Sequence, residues 1–168
     1  TGLGRQRQRQ HLGRGRDLER HLFSADLIAA ADRADGDQIA DALVQKIVPQ
    51  IKALKIGAGT NSGLDMGPLV TAAARDKVKG YIDAGVEQGA SLLVDGRNLI
   101  VPGNEDGFFL GGTLFDMVTP EMTIYTDEIF GPVLCSVRVN SLEDAMPLIN
   151  DHEYGNGTCI FTRDGEAA

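Results

Sequence analysis

Two adjacent carboxylates, Asp127 and Glu128, run through Ile129 into Phe130, a Gly131-Pro132 break and an apolar stretch from Val133 to Val139. A loop glutamate at the mouth of a sheet can accept hydrogen bonds from a ligand's hydroxyls while an adjacent ring covers an apolar face. The same residues admit a plainer reading, a solvated acidic loop with Phe130 as a plug in the core. Asp127 and Glu128 do not suit a glycosidase-type pair. Sequence neighbours in an extended segment point to opposite faces, and that chemistry needs both carboxyls on one substrate. Cys135 and Cys159 are the two thiols, each in an apolar run expected as a strand, with no adjacent base or helix N-terminus to favour a thiolate. Both therefore read as buried core cysteines. They lie too far apart for a metal-ligand spacing and do not make a disulfide framework. His152, between Asp151 and Glu153, is a candidate acid/base group or ligand, but a single histidine among acids is expected as solvated surface. On residue chemistry no catalytic residue and no metal site are assigned.

The glycine runs are weaker candidates. GAGTNSG, residues 57 to 63, lacks the Gly-Lys-Ser/Thr ending of a phosphate-binding loop and does not sit between a strand and a helix. Gly2-Leu3-Gly4 and Gly13-Arg14-Gly15 follow no strand and have no third glycine at the right offset, so neither is a dinucleotide fingerprint. The nucleotide-binding domain is not expected within these residues.

The string EIFGPVL, residues 128 to 134, resembles the Glu-Ile-Phe-Gly-Pro-Val signature of the aldehyde dehydrogenase superfamily. KALKIGAGT (52 to 60) and DMGPLV (65 to 70) resemble the helix-to-loop passage of its catalytic domain, and HEYGNGTCIFTRD (152 to 164) resembles the strand that follows. The form Tyr154-Gly155-Asn156-Gly157-Thr158 is most similar to the CoA-acylating methylmalonate-semialdehyde dehydrogenases. The resemblance runs from about Asp37 to the last residue. It implies an α/β fold with a layered sheet and flanking helices, part of an aldehyde dehydrogenase-type catalytic domain. It further implies NAD as cofactor, coenzyme A as acyl acceptor, a small aldehyde as substrate and a homo-oligomeric parent. By the same resemblance Glu128 would hydrogen-bond the nicotinamide ribose hydroxyls and Phe130 would pack beside the nicotinamide. Such oxidation also needs a thiolate nucleophile, and neither Cys135 nor Cys159 matches the family's position for it.

The elements that must position Glu128 are legible from periodicity. Ile39, Leu43, Ile47 and Ile51, with Val44 and Val48 beside them, mark one face of a helix beginning at Asp37, with a kink or broken turn expected at Pro49. Gly57 ends that pattern. Thr71 caps a second helix with Ala74, Val78, Ile82, Gly85 and Val86 on one face, closed by Gly89. Ser91 to Val94 reads as a short strand, and Phe108 to Val118 as an extended segment interrupted at Gly111-Gly112. Thr119-Pro120-Glu121 has the cap, proline and acid of a helix start, and that turn delivers the chain to Glu128. After the strand Val133 to Val139, Ser141 and Asp144 resemble a capping box opening a helix that ends near Asn150. A turn at Gly155-Asn156-Gly157 then leads to an expected strand, Thr158 to Thr162.

Residues 1 to 35 differ in kind. They hold seven of the eleven arginines and no lysine, with five acids, whereas residues 36 to 168 carry nine basic and nineteen acidic residues. A basic arm that binds nucleic acid or an anionic surface and a disordered tail both have such a composition, but a GC-rich reading frame translated out of register accounts better for a run rich in Arg and free of Lys. Leu22 to Ala31 could form a short helix, and little order is expected before about residue 33. The domain boundary therefore falls at residue 36.

A chain of 168 residues supports one sizeable core but not a two-domain enzyme, so a fragment inactive by itself is expected. A net charge of -8 with a pI near 4.8 argues against a nucleic-acid surface. At 42% hydrophobic residues and a mean hydropathy of -0.12, with no run of membrane-span length, no bilayer partner is expected. Two unpaired cysteines and no leader pattern suggest a cytoplasmic setting. Two rivals stand beside this reading: a non-acylating semialdehyde dehydrogenase, and a non-catalytic α/β module that binds a partner or assembles with full-length subunits.

Overall fold

The computed structural model describes residues 26–30, 36–155, 157–159 and 161. In chain order these form β1 (Asp26–Ala30), α1 (Gly36–Lys52), α2 (Ala72–Glu87), β2 (Ser91–Val94), β3 (Thr113–Asp116), α3 (Thr123–Thr126), β4 (Val133–Arg138) and α4 (Leu142–Asn150). One sheet has the order β1-β4-β3-β2, with β4 parallel to both its neighbours and β2 antiparallel to β3.

Alternation along the two inner strands builds a core on each face of this sheet. Phe115, Val133, Cys135 and Val137 meet Val78 and Ile82 of α2, together with Ile124 and Ile129. Leu114 and Leu134 meet Ile51 of α1 and Val94, with Ile47, Val48 and Leu54 packed beside them. Burial on both faces explains why β4 reads as an unbroken apolar run rather than an alternating one. The expected layered α/β architecture is present.

Several local expectations are corrected. Residues 26–30 form a strand paired to β4, Leu27 opposite Cys135, where a short helix from Leu22 to Ala31 was expected; the remainder of the arginine-rich arm lies outside the described residues. Helix α1 passes through Pro49 without breaking. Pro49 and Gln45 both face solvent, where water can satisfy the carbonyl that proline leaves unpaired, and Ala53 N–H still reaches Pro49 O at 3.1 Å. Ile39 is 42% exposed while Ala40 is fully buried. Steps of four residues advance about 40° past a full turn, so a row that faces the core at Ile51 has rotated off it by Ile39.

Strand β3 starts only at Thr113, because Gly111 is drawn against Gly96: Gly111 N–H donates to Gly96 O at 2.9 Å, and a Cβ on Gly96 would lie 2.1 Å from Gly111 O. Thr119 to Met122 forms a turn instead of opening the helix, which begins at Thr123. The described residues between 157 and 161 form no strand and Cys159 is exposed, contrary to the buried strand expected there. An apolar run becomes a strand only where a sheet edge accepts it, and among the described residues none does.

Candidate functional site

The Glu128 loop is the short crossing from α3 to the start of β4. Its two ends are fixed by hydrogen bonds. At the near end Gln88, which follows α2, turns its side-chain oxygen to the first turn of α3, accepting from Thr123 N–H at 2.8 Å. At the far end Val133 N–H donates to Gly131 O at 2.8 Å, a three-residue turn that suits the fixed φ of Pro132, and Pro132 O accepts from Thr113 N–H at 2.8 Å. Gly131 is required by close approach, since a Cβ there would lie 2.5 Å from Val78 Cγ2 on α2.

Between these ends the side chains sort by burial. Ile129 is 1% exposed and fills the core, while Glu128 is exposed and Phe130 is 71% exposed. The plug that sequence chemistry assigned to Phe130 is thus Ile129. Phe130 moreover adopts φ +61°, the left-handed region that a bulky aromatic rarely occupies. A residue held in that region at the cost of backbone strain, with its ring outside the core, motivates a functional reading.

Helix α2 supplies further anchors. Tyr81 Oη–H donates to Asp127 Oδ2 at 3.0 Å, and Lys77 Nζ lies 3.5 Å from Glu128 O and 5.4 Å from the centre of the Tyr81 ring. Burial, the bond to Asp127 and the nearby carboxylate charge hold the Tyr81 phenol above its ordinary value, so it stays a donor. Asp127 and Glu128 therefore divide their work as adjacent residues in an extended segment do: one carboxylate is held by α2, the other faces solvent.

Cys135 is buried against α3, where its thiol donates to Ile124 O at 3.5 Å. Burial pushes that thiol up to about 12, which keeps it protonated and inert, in agreement with the core reading for this cysteine. His152 is not solvated surface. Its ring is half-buried, with Nε2 2.7 Å from Tyr125 O, Nδ1 3.0 Å from Tyr154 N, and the ring edge-on to Tyr125 at 4.8 Å. Sequence reasoning missed the Tyr125–His152 and Tyr81–Asp127 contacts because they join segments distant in sequence, although Tyr81 could have been found one turn beyond Lys77 on the face of α2 that carries Val78.

A second polar cluster closes the opposite ends of the parallel strands. Asp116, 4% exposed at the end of β3, accepts from Arg138 Nη2 at 2.6 Å and from Met117 N–H at 2.8 Å, and Arg138 also reaches Asp41 of α1 at 2.7 Å. Burial works against the Asp116 carboxylate, yet the Arg138 guanidinium and the Met117 amide outweigh it and hold its pKa below the ordinary value. This cluster ties layers together at the end of the sheet away from Glu128. Among the described residues, no three His, Cys, Asp or Glu side chains gather in a metal-holding group.

The profile of the aldehyde dehydrogenase family matches residues 36–168. The chain belongs to the aldehyde dehydrogenase family. It is 80% identical over 133 residues to the malonate-semialdehyde dehydrogenase of Pseudomonas aeruginosa, covering 79% of this chain and 27% of that protein. It is 46% identical over 123 residues to the acylating mitochondrial methylmalonate-semialdehyde/malonate-semialdehyde dehydrogenase of Bos taurus, covering 73% and 23%. A crystal structure from Sinorhizobium meliloti, assigned as a methylmalonate-semialdehyde dehydrogenase and solved with NAD, superimposes with a TM-score of 0.78 at 50% identity, covering 83% of this chain and 28% of that one. The chain thus spans about a quarter of the length of these aldehyde dehydrogenase relatives.

Proposed function

We propose that residues 36–168 are the distal part of the catalytic domain of an NAD-dependent, CoA-acylating malonate- or methylmalonate-semialdehyde dehydrogenase, preceded by an arginine-rich segment whose residues 26–30 add a strand to the same sheet. The carrying observation is the Glu128 loop: an exposed carboxylate and an exposed aromatic at φ +61°, pinned on either side by Ile129, Gly131 and Tyr81. Such a loop presents two acceptor oxygens and one apolar face to a ligand without moving, which fits a ribose and an aromatic base. When bound, the nicotinamide supplies the hydride acceptor. Glu128 holds the ribose hydroxyls, and Phe130 limits the positions that the ring can take and keeps water from that side. The name of the NAD-bound relative supports the cofactor, and the acylating name of the bovine relative supports coenzyme A as the acyl acceptor. Neither thiol in this chain acts as the nucleophile, since Cys135 is a protonated donor to Ile124 O and Cys159 does not match the family's position. A cytoplasmic setting and a homo-oligomeric parent complete the reading.

The test is a full-length chimera in which residues 36–168 replace the corresponding segment of the Pseudomonas aeruginosa relative. It should reduce NAD with malonate semialdehyde in a CoA-dependent reaction, while the chain by itself should not. A folded chimera that fails to bind NAD, or NAD reduction by the chain alone that is lost in Cys159→Ala, would overturn the reading.

A further inference from the structure

We propose that His152 is a positioning residue for the Glu128 loop, acting through the carbonyl of Tyr125. The inference rests on the reading of Glu128 as the ribose ligand. Helix α3 has only four residues, so it has almost no internal ladder, and its carbonyls must find partners elsewhere. Thr123 O accepts from Asp127 N–H at 3.0 Å, Ile124 O from the Cys135 thiol, and Tyr125 O from His152 Nε2–H at 2.7 Å. The last of these is the shortest, and it falls three residues before Glu128.

The ring is itself held from the other side. Nδ1 lies 3.0 Å from Tyr154 N and 2.9 Å from Tyr154 O, so the Tyr154 peptide flanks that nitrogen, while Nε2, facing the Tyr125 carbonyl, donates its N–H to Tyr125 O. Tyr125 returns the contact, its Oη–H donating to Leu148 O of α4 at 2.8 Å. His152 thereby cross-links the segment after α4 to the last turn of α3, and the loop is held at three successive points: Tyr125 by His152, Asp127 by Tyr81, and Gly131 by Val78. Without the first, α3 loses the partner of one terminal carbonyl, and the backbone leading into Glu128 gains freedom that ligand binding must then remove.

Two measurements on three variants test this. In the full chain, amide hydrogen exchange across residues 123 to 130 should quicken about fivefold in His152→Phe, which keeps a ring but has no donor. His152→Gln, whose side-chain N–H can reach the same carbonyl, should restore protection, and His152→Asn, which is too short, should behave as Phe. In the chimera, His152→Phe should weaken NAD binding or slow hydride transfer by about two- to tenfold, with rescue by Gln and no change in acyl transfer to CoA. Unchanged exchange in both the Phe and Asn variants would overturn the positioning role. Faster exchange with NAD binding and hydride transfer unaltered would leave the cross-link standing and overturn the reading of Glu128 on which its function rests.

Discussion

Phe130 pays in backbone strain for a ring that the core does not use. The left-handed region costs a residue with a side chain about 1 to 2 kcal/mol, and the Phe130 ring is 71% exposed, so little packing offsets that cost. Phe130→Gly should therefore leave stability within about 1 kcal/mol of the parent chain, glycine's unfolded-state entropy cancelling part of the strain relief. Urea unfolding checks this, and a loss above about 2 kcal/mol would mean that the ring is packed. Cys135 should behave in the opposite way. Its thiol is pushed up to about 12 from an unfolded value near 8.5, so its contribution to stability is intact below about pH 8.5 and disappears as pH rises toward 12. In native protein near neutral pH a thiol-reactive probe should label Cys159 rapidly and Cys135 only on unfolding. The residue chemistry of Cys135 was legible in the sequence because an apolar run implies burial. That of Cys159 was not, since burial of such a run depends on a neighbouring strand that the run itself does not specify.

At the scale of elements, the fit of α2 against the start of β4 decides where the loop lies. A methyl on Gly131 would meet Val78 Cγ2 at 2.5 Å, so Gly131→Ala should destabilise by about 1 to 3 kcal/mol. Val78→Ala should recover part of that loss in the double variant, although alone it opens a cavity; additive effects in the four-corner cycle would show that the two residues do not touch. The caps of α2 and α4 were readable because each is local: Thr71 Oγ1 accepts from Ala74 N–H at 3.0 Å and Ser141 Oγ from Asp144 N–H at 3.1 Å. The start of α3 was misplaced for the converse reason. Thr119-Pro120 has a start signal, yet the cap that forms is Gln88 on Thr123, thirty-five residues away in sequence. Strand β1 was missed similarly, its pairing with β4 being a long-range choice that local propensity does not encode.

For the whole molecule, the three layers place the Glu128 loop at one end of the parallel strands and the Asp116–Arg138–Asp41 cluster at the other. Because the folded Asp116 carboxyl sits below its ordinary value, its stabilisation is present above about pH 4 and is lost as pH falls further. Asp116→Asn removes the buried one of the two carboxylates that face Arg138, Asp41 being the other, and should cost about 1 to 3 kcal/mol, with a visibly flatter acid limb in a plot of unfolding free energy against pH. An unchanged acid limb would place the pH sensitivity elsewhere. The central claim, that Glu128 is where this segment grips the nicotinamide ribose, is tested most directly by Glu128→Gln in the full-length chimera, reading NAD affinity and single-turnover hydride transfer together. A neutral amide is a poorer acceptor for two hydroxyls, so the fold should survive while one of those quantities falls roughly ten- to a hundred-fold, with CoA attack unaffected. Unchanged NAD affinity together with unchanged hydride transfer would contradict the account.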